Sequence, residues 1–108
     1  MRILFDNGTP RGVASALPGH VVEEARLHGW DTLRNSELLD AAEAAGFELL
    51  LTTDRNIRYQ QNLTDRTIAI VVLGKGRWRR IKRRLPEIAA AVNAATPGSF
   101  TEVEIPVE

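Results

Sequence analysis

Short apolar runs that end in polar turns recur along the chain and predict the strands of a sheet. Residues 3–5, 47–53 and 68–73 are nearly continuous apolar runs, and turn-forming residues follow each of them. Such runs are typical of strands that are buried on both faces. A shorter run over 20–22 predicts another strand. Residues 100–105 alternate between apolar and polar side chains, which predicts a half-exposed edge strand.

Apolar residues at helical spacing lie between these runs. A helix is predicted over 35–46, where one apolar stripe contains Leu38, Leu39, Ala42 and Ala45. A second stripe extends from Trp78 to Ala95, and it places Trp78 in the core. Pro86 lies inside this stripe and predicts a kink or two abutting helices.

A shorter helix is predicted over 10–17, with Thr9 as its N-cap and Pro10 in its first turn. Strands therefore alternate with helices along the chain. This alternation predicts an α/β fold, in which a mostly parallel sheet is covered by helices on both faces. The length of 108 residues predicts a single domain over 1–108.

Composition excludes several classes of site. The chain contains no cysteine, so it has no disulfides, thiolate metal sites or cysteine nucleophile. No apolar run approaches the roughly 20 residues that a membrane-spanning helix needs. The first residues lack the long apolar stretch of a signal peptide. We therefore expect a cytoplasmic protein with no membrane partner.

Charge is strongly segregated along the chain, although the formal net charge is zero. Residues 55–84 carry ten Lys or Arg against one Asp, whereas residues 1–54 carry four bases against nine acids. The last segment, 85–108, carries four acids and no base. The basic segment is either a solvated helix face, neutralised by the acidic segments after folding, or a surface that binds phosphates.

Two aspartates, Asp6 and Asp54, directly follow predicted central strands. Because parallel strands end at one edge of a sheet, both side chains are expected there. Glu37, in the first turn of the 35–46 helix, joins them if its connection loops back. Converging carboxylates repel unless a cation neutralises them, and oxygen ligands favour Mg²⁺ or Mn²⁺. The alternative is that both aspartates simply form turns.

Further residues could support such a site. Asn7 and Asn56, at the same strand ends, are either turn formers or neutral oxygen ligands. The expected nucleic-acid contacts are phosphate-binding bases and one stacking aromatic, namely Arg55, Arg58, Tyr59, Lys75, Arg77, Arg79, Arg80 and Arg83.

Three blocks of the sequence resemble a known family. Ile-Leu-Phe-Asp-Asn-Gly-Thr-Pro over 3–10, Asn-Ser-Glu-Leu-Leu over 35–39 and Leu-Thr-Thr-Asp-Arg-Asn over 51–56 are similar to small stand-alone PIN-like proteins. These are relatives of the VapC-type toxin ribonucleases, and many are catalogued only as a domain of unknown function. The run over 56–63 resembles one subfamily, and the likeness extends through 97–98.

The resemblance implies a three-layer, Rossmann-like fold and a Mg²⁺ or Mn²⁺ site. It assigns the catalytic and metal-binding acids to Asp6, Glu37 and Asp54. Many relatives carry further acids where this chain has Asn7, Asn35 and Asn56, so the site here is less anionic. Toxin relatives are commonly paired with a small antitoxin protein, which implies a protein partner.

These observations leave three hypotheses. The leading one is a metal-dependent ribonuclease, the toxin of a toxin–antitoxin pair, that binds RNA through its basic segment. The second is a catalytically degenerate domain that binds nucleic acid. The third is a protein-interaction module whose basic surface meets an acidic partner. A phosphoacceptor receiver is disfavoured, because Asn7 stands where a second acid would be needed. The alternating strand over 100–105 could pair with a second copy to form a homodimer.

Overall fold

The computed structural model is built around a five-stranded sheet in which every strand pair is parallel. It describes residues 1–33, 35–54, 57, 65–74 and 76–106, except for the side chain of Asn35. The strands are β1 (Arg2–Phe5), β2 (Val21–Glu24), β3 (Leu49–Thr52), β4 (Ala69–Leu73) and β5 (Phe100–Val103). The α-helices are α1 (Asn35–Ala44), α2 (Trp78–Lys82) and α3 (Leu85–Ala94). Two 3₁₀ helices cover Arg11–Ala16 and Ala25–His28.

The strands lie in the order β2-β1-β3-β4-β5. The chain first moves outward from β1 to β2, then returns across β1 to β3 and continues in the other direction. The direction therefore reverses between the neighbouring strands β1 and β3, whose register pairs Phe5 with Leu51. In open parallel sheets, ligands bind in the crevice outside the carboxyl ends of the strands at such a reversal.

Apolar side chains cover both faces of this sheet, because successive residues of a strand point to opposite faces. One face packs Phe5, Leu51 and Val71 against the first 3₁₀ helix and against α2 and α3. The other face packs Leu4, Leu50 and Ile70 against α1. β3 and β4 are buried along their whole length. The prediction of an α/β fold is confirmed, and the sheet is entirely rather than mostly parallel.

One crossover has an unusual hand. The connections β1–β2 and β4–β5 pass over the same face of the sheet, yet they move in opposite directions across it. They must therefore have opposite handedness, although parallel crossovers are right-handed in about 98% of proteins. As a result, α2 and α3 contact the 3₁₀ helix that follows β1.

The helices follow the predicted pattern, with two corrections. Pro86 lies in the first turn of α3, which confirms that the 78–95 stripe divides into two helices. The predicted helix over 10–17 is 3₁₀, its N-cap is Pro10, and Thr9 does not cap it. Trp78 is not a core residue, since 39% of its surface is exposed.

The last strand, β5, forms one edge of the sheet and pairs with β4 only, as the alternating pattern predicts. Its Glu102 is exposed and its Val103 is buried. Among the described residues, no helix has the length and apolar character needed to cross a membrane.

Candidate functional site

β1 and β3 bring two of the predicted acids to the same edge of the sheet. Asp6 immediately follows β1, and its backbone N–H donates to the Leu51 carbonyl of β3 at 3.2 Å. Asp54 lies two residues beyond the end of β3. Both are half-buried. The structure therefore places Asp6 and Asp54 at the carboxyl edge, beside the reversal point between β1 and β3.

The carboxylate of Asp6 accepts hydrogen bonds from three uncharged donors. Its Oδ1 lies 3.1 Å from the backbone nitrogen of Gly8 and 2.8 Å from the hydroxyl of Thr9. Its Oδ2 accepts a bond from the hydroxyl of Thr52. The contact with Gly8 is a local turn, so Asp6 does form the turn that the sequence left open. These donors fix the orientation of the carboxylate but leave its charge without a described cation.

Thr52 links the two acids. Its side chain is almost fully buried at the end of β3, so its hydroxyl requires hydrogen-bond partners. The hydroxyl donates to Asp6 and accepts the backbone N–H of Asp54 at 3.0 Å. One side chain therefore sets the position of the Asp54 backbone relative to the Asp6 carboxylate.

The loop after β1 packs tightly against the end of β3. A Cβ atom at Gly8 would lie 2.4 Å from the Thr53 hydroxyl oxygen, so a larger residue would force the two segments apart. The Thr9 hydroxyl lies 2.8 Å from the Leu51 carbonyl as well as from Asp6, so its single proton is shared between them. Gly8 therefore allows the loop after β1 to contact the end of β3, and the hydroxyl of Thr9 links the same two segments.

Glu37 lies in the first turn of α1 and is exposed. The other end of α1 adjoins the start of the sheet, because Glu48, just before β3, donates its N–H to the Arg2 carbonyl. The connection therefore does loop back, and the ten residues of the helix span about 15 Å toward the carboxyl edge. The side-chain nitrogen of Asn7 donates to the Asp31 carbonyl at 2.9 Å, which holds the segment before α1 against the β1 loop.

The three acids do not form a three-ligand cluster. Across the described part of the chain, no three His, Asp or Glu side chains are grouped so as to hold a metal ion. Asp6 and Asp54 share one edge through Thr52, and Glu37 lies on the helix that leads toward it.

The basic residues of α2 border the same edge. The six-membered ring of Trp78 lies against Gly12 of the first 3₁₀ helix, so closely that a Cβ there would be 2.4 Å from two ring atoms. This contact fixes α2 beside the loop that carries Asp6. Arg77, Arg79 and Arg83 are exposed and Arg80 is half-buried.

Several predicted site residues lie outside the described residues. They are Arg55, Asn56, Arg58, Tyr59 and Lys75, and the side chain of Asn35 belongs with them. Thr9 is predicted from the sequence only as a helix cap, and no role is predicted for Thr52. The sequence does carry a signal for Thr52, because a threonine at the end of an apolar strand needs hydrogen-bond partners once it is buried.

A second polar cluster lies at the opposite edge of the sheet. Glu43 of α1 accepts bonds from the Arg66 guanidinium at 2.5 Å and from the backbone N–H and hydroxyl of Thr67 at 2.8 and 2.9 Å. Arg66 also reaches Asp40 at 2.6 Å. Burial raises the pKa of Glu43, but the bonds from Arg66 and Thr67 outweigh it and lower the pKa below its usual value.

Comparisons with known proteins do not assign a family: no protein-family model, curated protein or solved structure matches the chain.

Proposed function

We propose that this protein is a metal-dependent ribonuclease of PIN-like type, with its centre at the carboxyl edge between β1 and β3. The observation that carries the proposal is the state of Asp6. Its carboxylate is oriented by three uncharged donors, Asp54 is tethered beside it, and the described residues offer no cation to neutralise it. An oriented acidic centre of this kind suits a bound cation.

The residues present fit Mg²⁺ or Mn²⁺. Mg²⁺ keeps several waters and is usually held by one or two carboxylates together with substrate phosphates, so a three-carboxylate cage is not required. Asp6 and Asp54 would hold the ion, and Glu37 would act as a third ligand or would orient water. When bound, the ion supplies an activated water and stabilises charge on a phosphodiester. Asp6 keeps its orientation through Thr9 and Thr52.

The basic surface supplies the affinity for RNA. Arg77, Arg79, Arg80 and Arg83 lie on or next to α2, and α2 borders the loop that carries Asp6. Arginines contact phosphates whatever the sequence of the RNA, and these contacts weaken as salt rises. Arg55, Arg58, Tyr59 and Lys75 are proposed to extend the same surface.

We also propose a three-layer arrangement for the fold and a role as a toxin for the protein. Two apolar clusters, one on each face of the sheet, support a three-layer, Rossmann-like arrangement. The role is that of a cytoplasmic toxin, paired with a small antitoxin protein, and β5 is the edge through which a second copy could bind.

The test is cleavage of a single-stranded RNA by the purified chain in the presence of Mn²⁺ or Mg²⁺. We expect cleavage that a chelator abolishes. Asp6→Asn and Asp54→Asn should each lower the rate by about 100-fold or more, since loss of a metal ligand removes several kcal/mol of charge stabilisation. The matched control is Asp65→Asn, because Asp65 is exposed at the turn before β4, on the opposite edge.

A second candidate function is binding of RNA without cleavage. The absence of a three-carboxylate group among the described residues favours it. This alternative predicts salt-dependent RNA binding with no cleavage in either metal, and equal affinity for Asp6→Asn and the wild type. Cleavage that survives in Asp6→Asn would contradict the assignment of the acidic centre.

A further inference from the structure

Trp78 is an exposed aromatic side chain set in a strongly basic segment. Three large apolar residues are exposed in the described part of the chain: Val21 at 56%, Leu27 at 69% and Trp78 at 39%. Val21 and Leu27 lie in or next to the segment that also carries Glu23 and Glu24. Trp78 alone is flanked by arginines on both sides.

The position of Trp78 is fixed by its contact with Gly12. A Cβ at Gly12 would come within 2.4 Å of two atoms of the ring, so only glycine allows this approach. Within the described residues, the ring contacts are formed by other side chains: Arg2 lies over Phe47, and Trp30 stacks on His28. Trp78 is therefore held against Gly12 on one side and still exposes 39% of its surface to solvent.

We propose that Trp78 stacks on an unpaired nucleobase of the bound RNA. The inference rests on the proposed function and adds to it a residue that contacts a base. A base stacks on an aromatic ring whatever its sequence, while neighbouring arginines bind the phosphates on either side. A base inside a duplex is already stacked and cannot reach the ring.

The stacked base would lie close to the acidic centre. Gly12 follows Asp6 by six residues, and a chain of that length spans at most about 20 Å. The 3₁₀ conformation over Arg11–Ala16 shortens that span. A short single strand can therefore place one base on Trp78 and a phosphate near Asp6 and Asp54.

The experiment uses Trp78 as its own reporter. The chain has two tryptophans, so Trp30→Phe leaves Trp78 as the only one. We titrate this variant with a uridine 12-mer, with a 12-nucleotide abasic strand and with duplex RNA. The uridine strand should quench the fluorescence of Trp78, whereas the abasic strand should bind more weakly without quenching.

Substitution of the ring gives the second measurement. Trp78→Ala and Trp78→Leu should weaken binding of the uridine strand by about 5- to 150-fold, which is the loss expected from removal of one stacked base. Trp78→Leu keeps apolar bulk against Gly12 and so tests the aromatic ring apart from the packing. Trp78→Phe should restore much of the affinity. The matched control is Leu27→Ala, which removes an exposed apolar side chain elsewhere and should change nothing.

The salt dependence separates stacking from charge. Trp78→Leu should lower the affinity without changing the slope of log affinity against log salt, whereas Arg79→Ala should reduce that slope by about 1. If the abasic strand binds as tightly as the uridine strand, or if Trp78→Leu binds like the wild type, the stacking proposal is wrong while the ribonuclease proposal stands. If no RNA binds at low salt, both proposals fail.

Discussion

The two edges of the sheet each hold a carboxylate that accepts several hydrogen bonds, but the donors differ. At the carboxyl edge, Asp6 receives bonds from a backbone N–H and two threonine hydroxyls. At the opposite edge, Glu43 receives a backbone N–H and a threonine hydroxyl and, in addition, the guanidinium of Arg66. Among the described residues, Asp6 is thus oriented by uncharged donors alone, whereas Glu43 is oriented and also paired with a cation.

This difference separates a structural cluster from a candidate binding site. In an ion pair that is largely removed from water, each charge neutralises the other. Removal of either partner destabilises the protein, because the remaining charge has no counter-charge. A carboxylate with only neutral donors retains a field that attracts a cation from solution. Glu43 therefore ties α1 to the start of β4, whereas the described partners of Asp6 include no cation.

The largest expected effect comes from removal of Glu43. Among the described residues, Glu43→Ala would leave Arg66, whose side chain is 16% exposed, with the solvent-exposed Asp40 as its one charged partner. The loss should be about 1.5–3 kcal/mol in the free energy of unfolding, the range for hydrogen bonds to charged groups. Urea denaturation measures it. A loss below about 0.5 kcal/mol would mean that the cluster is no stronger than a surface ion pair.

A smaller effect is expected for the stabilisation of the protein by Mn²⁺, which should depend on Asp6. At a Mn²⁺ concentration ten times the dissociation constant, binding should stabilise the wild type by about 1.4 kcal/mol. Asp6→Asn should lose this stabilisation, while Asp65→Asn should keep it. Thermal or urea unfolding with and without Mn²⁺ provides the measurement. Equal stabilisation of Asp6→Asn and the wild type would show that the ion binds elsewhere.

The smallest effect is the pH dependence of the Glu43 cluster. Because folding lowers the pKa of Glu43 below its ordinary value of 4.5, its contribution is complete above that pH and is lost as the pH falls through the folded-state pKa. Glu43→Gln should cost about 1 kcal/mol at pH 7.

The quantity to measure is the difference in the free energy of unfolding between the wild type and Glu43→Gln. Urea denaturation gives this difference at each pH from 7 to 3. The difference should shrink with acid, since both proteins then carry a neutral side chain at this position. Glu23, whose pKa the hydrogen bond from His28 lowers, is common to both proteins and cancels. A difference that stays constant down to pH 3 would contradict the assignment.

Most of the architecture could be predicted from the sequence. The buried runs gave β3 and β4 because such strands must be apolar on both faces, and Pro86 located the division between α2 and α3. The order of the strands could not be predicted, since the same pattern of elements fits several orders. The hand of the β4–β5 crossover is likewise a tertiary property that no local pattern encodes. Trp78 was misassigned because its spacing matches the buried stripe, while its contact with Gly12 is visible only in the fold.

The acidic site was only partly predictable. The positions of Asp6 and Asp54 after strands predicted their common edge, because parallel strands end together. The role of Thr52 was not predicted, since its hydroxyl meets Asp6 only through the pairing of β1 with β3. The sequence predicts Asp6 as either a turn former or a metal ligand; in the structure Oδ1 forms the turn with Gly8, while Oδ2 accepts the bond from Thr52.

The passage of the β1–β2 and β4–β5 connections over one face of the sheet has a consequence for how charge is distributed over the molecule. Had the β4–β5 connection passed over the other face, the arginine-rich helix would lie in the layer of α1, away from the first 3₁₀ helix. Because both connections share one face, the arginines of α2 instead lie beside the 3₁₀ helix that follows the loop of Asp6. A polyanion that approached this side would be attracted by the arginines of α2 and repelled by the carboxylate of Asp6. The concentration of divalent cations would therefore set how closely it approaches.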